Sequence, residues 1–202
     1  MTMSRKKNKP ESWIDMETGI WLLTDEYDRR GRPHCFFDSD LSSELVSFFK
    51  EERSKTIADM GCGWARYTKD LRKNGLSCDG FDGNPNVHSN TGGLGKLLDL
   101  SKPVVFETKY DWILSLEVGE HIPKEYERIF INNLHENSVF GIVLSWAIPG
   151  QRGAGHFNER SNAYIKDVFS KLGYKSDLDQ EIRLRKAASV RWFKNGLMVF
   201  RK

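Results

Sequence analysis

A glycine-rich turn between two strand-like segments constrains the fold of this chain more than any other feature. Thr56–Met60 has the length and apolar character of a buried strand, and Gly61-Cys62-Gly63 follows it directly. An amphipathic helix with Tyr67 and Leu71 on its inner face comes next, and Ser77–Asp82 has the pattern of a second strand. Two strands joined through a helix form a βαβ unit, in which the strands run parallel.

The alternation of strands and helices continues along the chain. Helices are predicted from a cap at Ser39 or Asp40, from Pro123 through His135, and at Arg160–Leu172, while the type of Leu178–Arg185 stays open. This pattern predicts an α/β fold with a doubly wound, mostly parallel sheet and helices on both faces. Further strands are predicted at Lys96–Leu100, Asp111–Leu116, Val139–Ser145 and Leu197–Phe200.

Composition narrows the class of protein. With 39% apolar residues, 12% aromatic residues and no membrane-length apolar run, the chain is not a membrane protein, a coiled coil or a disordered protein. The three cysteines form no CxxC pair, and no secretory signal opens the chain, so cytosol is the expected compartment. The net charge of +3 comes from the first ten residues, so the near-neutral remainder is not a basic nucleic-acid binder.

The sequence predicts one domain with an N-terminal extension. Residues 1–10 are expected to form a basic flexible tail. Residues 11–53, rich in aromatic side chains, are expected to cap the substrate and to contain the first helix. Residues 54–202 carry the α/β pattern and would form the catalytic domain.

The turn and the second strand together indicate a nucleoside-binding site. Glycines let the backbone pass close to a ligand, and ligands bind beyond the carboxyl ends of parallel strands. Asp82 ends the second strand, nineteen residues after Gly63, where a carboxylate can accept hydrogen bonds from both ribose hydroxyls. Arg66 stands where a dinucleotide fingerprint has its third glycine, which makes a dinucleotide enzyme the less favoured alternative.

Four segments, in order, resemble the motifs of the class I S-adenosylmethionine (SAM) methyltransferases. The resemblance covers residues 56–145 and implies a Rossmann-like methyltransferase fold, a seven-stranded sheet and SAM as cofactor. The Pro-Gly-Gly that is common before the fifth strand is absent. The four segments are Ile57–Gly63, Gly80–Gly83, Asp99-Leu100, and Ser115–Glu117 with His121-Ile122-Pro123.

The resemblance also implies which residues contact the cofactor. Asp59 would face the amino-acid end of SAM, Asp82 would hold the ribose, and Asp99 would lie at the adenine. For Asp99, a helix cap or turn is the alternative interpretation. The full predicted cofactor set is Asp59, Gly61, Cys62, Gly63, Asp82, Asp99, Leu100 and Leu116.

Glu117, Glu120 and His121 have the spacing that places side chains on one side of a helical turn. Two carboxylates and an imidazole suit Mg²⁺, Mn²⁺ or Fe²⁺, and Mg²⁺ or Mn²⁺ is the predicted metal. This ExxEH run resembles the metal site of small-RNA 3′-terminal 2′-O-methyltransferases, which add a later histidine, and of ubiquinone-pathway O-methyltransferases. His156, in the glycine-rich loop 149–158, is the candidate fourth ligand. Alternatively, the enzyme is metal-free, as are many class I enzymes whose histidine here is a packing or substrate residue.

These residues predict an O-methyltransferase in which Glu120, His121 and His156 are the catalytic residues. A metal would chelate two neighbouring hydroxyls and lower the pKa of one of them. The predicted acceptor is a sugar, a glycan or a similar vicinal diol, with His34 and Trp146 as candidate substrate contacts. The alternatives are ribose 2′-O-methylation of RNA, methylation of a catechol or other small phenol, and a non-catalytic interaction protein with a methyltransferase fold.

Overall fold

The computed structural model describes residues 13–26 and 35–202, and this part of the chain contains seven strands in one sheet. The predicted tail at residues 1–10 and the candidate substrate residue His34 lie outside the described residues. The strands are β1 (Ile57–Met60), β2 (Cys78–Asp82), β3 (Gly95–Leu97), β4 (Tyr110–Leu116), β5 (Ser138–Ser145), β6 (Lys175–Ser176) and β7 (Leu197–Arg201).

The sheet has the order β3-β2-β1-β4-β5-β7-β6, and its first five strands are parallel. Only β7 runs antiparallel, against β5 on one side and β6 on the other. The predicted doubly wound, mostly parallel, seven-stranded sheet is therefore confirmed. The helices are α1 (Ser39–Glu51), α2 (Arg66–Lys73), α3 (Val87–Asn90), α4 (Glu127–Glu136), α5 (Asn162–Lys171), α6 (Leu178–Ala187) and α7 (Arg191–Gly196).

Two hydrophobic clusters cover the two faces of the sheet. Alternate residues of β4 contribute to opposite clusters: Trp112 packs with Phe48 of α1 on one face, and Ile113 packs with Phe130 of α4 on the other. Since successive side chains of a strand point to opposite faces, one strand serves both cores. Helices on both faces follow from this alternation.

Several predicted boundaries differ from the structure. The cap of α1 is Asp38, not Ser39 or Asp40, because the Asp38 carboxylate accepts hydrogen bonds from Leu41 N at 3.0 Å and from Ser189 N at 2.7 Å. Strand β3 ends at Leu97, since the chain turns at Asp99 and leaves the sheet.

The predicted helix from Pro123 begins later than expected, and the one segment whose type was left open is helical. Pro123 precedes a 3₁₀ turn at Lys124–Tyr126, and α4 begins only at Glu127. The open segment from Leu178 is a helix, capped by Asp177 through a hydrogen bond from Gln180 N at 3.2 Å. Throughout residues 13–26 and 35–202, each helix is too short or too polar to cross a lipid bilayer.

Strand β1 lies at the point where the strand order changes direction, between β2 and β4. Ligands of doubly wound sheets bind beyond the carboxyl ends of the strands at such a switch point. Here Met60 and Leu116 end β1 and β4, and the residues that follow them line a cavity.

Candidate functional site

A cavity of about 670 Å³ opens at the carboxyl ends of β1, β2 and β4. The structure brings two predicted sets of residues together in its wall, although they come from separate parts of the sequence. The lining includes Asp59, Gly61, Cys62, Gly63, Asp82, Asp99, Leu100 and Leu116 of the predicted cofactor set, and Glu117, Glu120, His121 and His156 of the predicted metal set.

The turn after β1 needs glycine for two different reasons. Gly61 has φ +85°, and a Cβ there would lie 2.3 Å from Cγ2 of Val118. Gly63 has φ +53°, in the left-handed region that favours glycine, and its N–H donates to Asp82 Oδ2 at 2.9 Å. The turn is thus tied to the end of β2, and its backbone is open to the cavity.

Two buried carboxylates flank this turn. Asp59 accepts a hydrogen bond from Thr68 Oγ1 at 2.7 Å, and burial, reinforced by the charge of Asp82, raises the pKa of Asp59 to about 7. Burial also raises the pKa of Asp82, although hydrogen bonds from Asn84 N and Gly63 N oppose this shift. The two acids thus present a negative, largely enclosed wall that suits a ligand with hydroxyl and ammonium donors.

Asp99 lines the cavity, but its carboxylate is already engaged. Oδ1 accepts hydrogen bonds from Ser101 N at 3.0 Å and Ser101 Oγ at 2.6 Å, and Oδ2 pairs with Lys102 Nζ at 3.1 Å. This geometry favours the turn interpretation of Asp99 that the sequence left open.

Glu120, His121 and His156 form a compact cluster at the other end of the cavity. One ligand atom from each side chain lies within 4.8 Å of the other two. The 3₁₀ turn Gly119–His121 after β4 carries the first two, and the loop after β5 carries the third. One carboxylate and two imidazoles at this separation match a three-residue metal site.

Glu117 lies beside this cluster and contacts the carboxyl of Glu120, and its role as a fourth ligand stays a prediction. The prediction of a single helical turn was wrong, because Glu117 has φ +55° and only Gly119–His121 forms a 3₁₀ turn. Its Oε2 accepts a hydrogen bond from Gln151 Nε2 at 2.8 Å. Glu117 therefore affects the cluster through Glu120, whose pKa its charge raises.

Glu120 is fully buried, and neither carboxylate oxygen has a hydrogen-bond partner among the described residues. Burial and the neighbouring charge of Glu117 raise its pKa well above the usual range. The backbone N–H groups of Glu120 and Ala147 act in the opposite direction, and the side-chain contact with Glu117 adds to the rise. Because buried polar atoms are almost always satisfied, these orphaned oxygens indicate a group that binds there.

Within residues 13–26 and 35–202, both histidines make their hydrogen bonds through Nδ1 and none through Nε2. His121 Nδ1 lies 3.0 Å from the carbonyl oxygen of Gly155, which can only accept, so Nδ1 carries the proton. Burial lowers the pKa of His121 to about 4, and the ring is neutral. His156 Nδ1 lies 3.1 Å from Glu159 Oε1, a carboxylate oxygen that accepts, so Nδ1 carries the proton in this ring as well. An unprotonated Nε2 is the form in which imidazole binds a metal.

The segment 13–26 forms one wall beside the histidines. The indole of Trp21 packs edge-on against His121, with ring centres 4.9 Å apart, and Trp13 packs against Trp21 at 5.1 Å. The carbonyl oxygen of Leu23 accepts hydrogen bonds from Asn84 Nδ2 and Asn90 Nδ2, which fix the segment to the sheet. This aromatic wall lies where an acceptor would sit.

Trp146 does not belong to the cavity, and its prediction as a substrate contact was wrong. It is fully buried, its Nε1 donates to the carbonyl oxygen of Asn158 at 2.6 Å, and its ring packs against Phe130. The residue follows β5 on the face that α4 covers, so the indole joins the core.

Sequence reasoning missed two residues in the loop after β5. Gln151 donates a hydrogen bond to Glu117, and Glu159 accepts one from His156. Neither belongs to a recognisable motif; only the i,i+3 spacing of His156 and Glu159 could have drawn attention. Their role depends on how the loop folds back over the cavity.

Comparison of the sequence with family models gave no match, and neither did comparison with curated proteins. The fold is nevertheless well represented among solved structures, and those it resembles are SAM-dependent methyltransferases. The strand order, the antiparallel β7 and the cavity at the switch point agree with that likeness. The chain therefore has the class I SAM-dependent methyltransferase fold.

Three of these structures illustrate the likeness. Magnesium protoporphyrin IX methyltransferase (ChlM) from Synechocystis PCC 6803, with bound SAM, matches with a TM-score of 0.58 and 17% identity, over 79% of this chain and 76% of that one. The methyltransferase domain of bacterial CtHen1 matches with a TM-score of 0.57 and 16% identity, over 80% of this chain and 96% of that one. The 1,6-didemethyltoxoflavin-N1-methyltransferase of Burkholderia thailandensis, with bound S-adenosylhomocysteine, matches with a TM-score of 0.55 and 13% identity. The match covers 82% of this chain and 79% of that one.

Proposed function

We propose that this protein is a SAM-dependent O-methyltransferase that uses a divalent metal ion, Mg²⁺ or Mn²⁺, and methylates a hydroxyl of a sugar, a glycan or a similar vicinal diol. The observation that carries the proposal is Glu120: a buried carboxylate without a hydrogen-bond partner, beside two imidazoles with free Nε2 atoms. These groups share a cavity with the residues that would hold SAM.

The cofactor end of the cavity fits SAM. Asp82 would accept hydrogen bonds from the ribose hydroxyls, and Asp59 would balance the charge of the amino-acid end. The open backbone at Gly61 and Gly63 allows close approach of the ligand. Because a non-catalytic interaction protein would not require these cofactor contacts, their presence favours an enzyme.

The cluster end of the cavity fits a small divalent cation. Glu120, His121 and His156 would hold the ion and leave coordination positions for two acceptor oxygens. A bound ion supplies Lewis acidity, which lowers the pKa of a coordinated hydroxyl. Because Mg²⁺ prefers oxygen ligands and gives up its waters reluctantly, two imidazoles disfavour it, and we expect Mn²⁺ to bind more tightly.

The remaining residues of the cavity would position the acceptor and exclude water. Methyl transfer from a sulfonium is an in-line displacement, so alignment of the hydroxyl oxygen with the methyl group supplies much of the rate. Trp13, Trp21 and Trp192 line the cavity and offer ring faces to a sugar. The near-neutral body of the chain favours a saccharide over an RNA strand, whose binding requires positive surface.

The test is release of S-adenosylhomocysteine with a panel of acceptors: free sugars and glycosides, catechols, and RNA with 3′-terminal ribose. Each reaction is run as purified, with EDTA, and with EDTA followed by excess Mn²⁺. We expect turnover with a sugar that EDTA abolishes and Mn²⁺ restores. Full activity in EDTA would contradict the metal, and turnover only with RNA or catechol would contradict the acceptor class.

A further inference from the structure

The loop between β5 and α5 winds around one carboxylate, that of Glu159. Oε2 accepts a hydrogen bond from Gly150 N at 2.7 Å, and Oε1 accepts one from Arg152 N at 2.6 Å. Oε1 also lies 3.1 Å from His156 Nδ1. A single side chain thus links both halves of the loop to the histidine of the cluster.

Another residue of the loop, Gly153, packs against the imidazole of His156 and restricts its orientation. A Cβ on Gly153 would lie 2.2 Å from Nε2 and 2.6 and 2.7 Å from its two ring neighbours, a position over the face of the ring. The glycine therefore covers the ring face and leaves the ring edge, where the Nε2 lone pair lies, uncovered. The end of the loop is held separately, because Phe157 N and Asn158 N donate to the carbonyl oxygen of Glu120.

The two histidines of the cluster are oriented by different groups. His121 donates from Nδ1 to a neutral backbone carbonyl, that of Gly155, whereas His156 donates to an ionised carboxylate. The Glu159 carboxylate also accepts the backbone N–H groups of Gly150 and Arg152, which fix it behind the ring. A carboxylate behind an imidazole makes the ring a better metal ligand and holds its tautomer.

We propose that Glu159 is a positioning residue that fixes the ring and the Nδ1–H tautomer of His156, and thereby makes Nε2 available to the metal at Glu120 and His121. This inference rests on the proposed function. Glu159 does not itself touch the metal or the acceptor; it acts through His156.

Mn²⁺ binding to the full-length, SAM-free protein tests the proposal without an acceptor. Free Mn²⁺ is measured by electron paramagnetic resonance for wild type, Glu159→Gln and Glu107→Gln. Glu107 is an exposed acid that precedes the amino end of β4, whereas the cavity lies at the carboxyl end, and it controls for loss of one charge. We expect Glu159→Gln to weaken Mn²⁺ binding about 10- to 100-fold and Glu107→Gln to leave it unchanged. SAM affinity, measured by calorimetry, stays the same in all three proteins.

Two further measurements separate positioning from general damage to the loop. In a His156→Ala background, Glu159→Gln should have no further effect on Mn²⁺ affinity, because both changes remove the same interaction. Nitrogen NMR of ¹⁵N-histidine-labelled wild type should show that the ring proton of His156 is on Nδ1. In a free, neutral histidine side chain the proton is mainly on Nε2. This reading on the wild type holds even if Glu159→Gln fails to fold.

The outcomes are distinct. An Nε2–H tautomer of His156 in the wild type, or a folded Glu159→Gln variant with wild-type Mn²⁺ affinity, overturns the positioning role and leaves the proposed metal intact. A wild type that binds no Mn²⁺ overturns the metal-dependent function, and the tautomer measurement then still decides whether Glu159 orients His156.

Discussion

The rings of His121 and His156 lie 5.1 Å apart and nearly perpendicular, at 79°. One belongs to the turn after β4 and the other to the loop after β5, and two backbone hydrogen bonds to the Glu120 carbonyl oxygen join these segments. The pair is therefore a product of two neighbouring strand ends. A change in either segment is expected to alter the cluster while the SAM end of the cavity keeps its geometry.

Replacement of Asp82 by alanine should weaken SAM binding at least tenfold. The change removes the acceptor for the ribose hydroxyls and releases the N–H of Gly63 from its 2.9 Å hydrogen bond. Calorimetric titration with SAM measures the effect. Asp179→Ala, at an exposed acid in the first turn of α6, is the matched control and should bind as wild type does. Equal affinity in both variants would contradict the assigned cofactor site.

Glu120→Gln should stabilise the metal-free protein and abolish Mn²⁺ binding. The wild type buries a carboxylate without a hydrogen-bond partner, and a neutral amide can donate to Glu117 instead. We expect a gain of about 1 to 3 kcal/mol, seen as a rise in Tm. Added Mn²⁺ should raise the Tm of the wild type but not of the variant, since only the wild type binds it. A lower Tm for the metal-free variant would show that Glu120 has an unrecognised structural partner.

SAM binding should release a proton below about pH 7. The pKa of Asp59 is raised to about 7 by burial, so this carboxyl is mostly protonated in the free protein at about pH 6. The ammonium of a bound amino-acid group would favour the carboxylate and lower that pKa. Calorimetry in buffers of different ionisation enthalpy counts the protons, with Asp59→Asn as the control that should release none.

The same shift makes the stability of the ligand-free protein depend on pH. An acid whose folded-state pKa lies above its unfolded value of 3.8 binds more protons when folded. The free energy of unfolding therefore falls as pH rises from about 4 to about 7. Asp59→Asn should remove this part of the slope, and denaturant unfolding at several pH values measures it. An unchanged slope in the variant would assign the pH dependence to other groups.

Gly119→Ala should disturb the cluster through packing. A Cβ at this position would lie 2.3 Å from Cε3 of Trp146, which is fully buried and cannot retreat. We expect a loss of about 1 to 3 kcal/mol and weaker Mn²⁺ binding, because the turn also carries Glu120 and His121. Gly75→Ala is the control: its φ is +85° with no atom within 4 Å of a Cβ, so it costs stability through backbone strain alone and leaves Mn²⁺ affinity intact.

Local patterns predicted six of the seven strands in the described sheet, but not the two-residue strand β6, and they predicted a cavity beyond the strand ends. An apolar strand, a GxG turn and an acid at the end of the next strand are close in sequence, and parallel pairing brings them together in one way. Boundaries that depend on distant partners were less predictable. The cap of α1 lies one or two residues earlier than expected because Asp38 also accepts a hydrogen bond from the backbone of Ser189, far along the chain.

The sequence by itself determined the fold, the place of the cavity and the chemical types at its two ends, because these follow from periodicity and from the spacing of short motifs. Only the tertiary structure decided which polar side chains meet. Glu117 does not share a helical turn with Glu120 and His121 because its backbone is left-handed, and Trp146 packs in the core instead of lining the cavity. Glu159 gained its position because the loop after β5 folds back over the turn after β4. Such meetings depend on hydrogen bonds between segments distant in sequence, which local spacing does not encode.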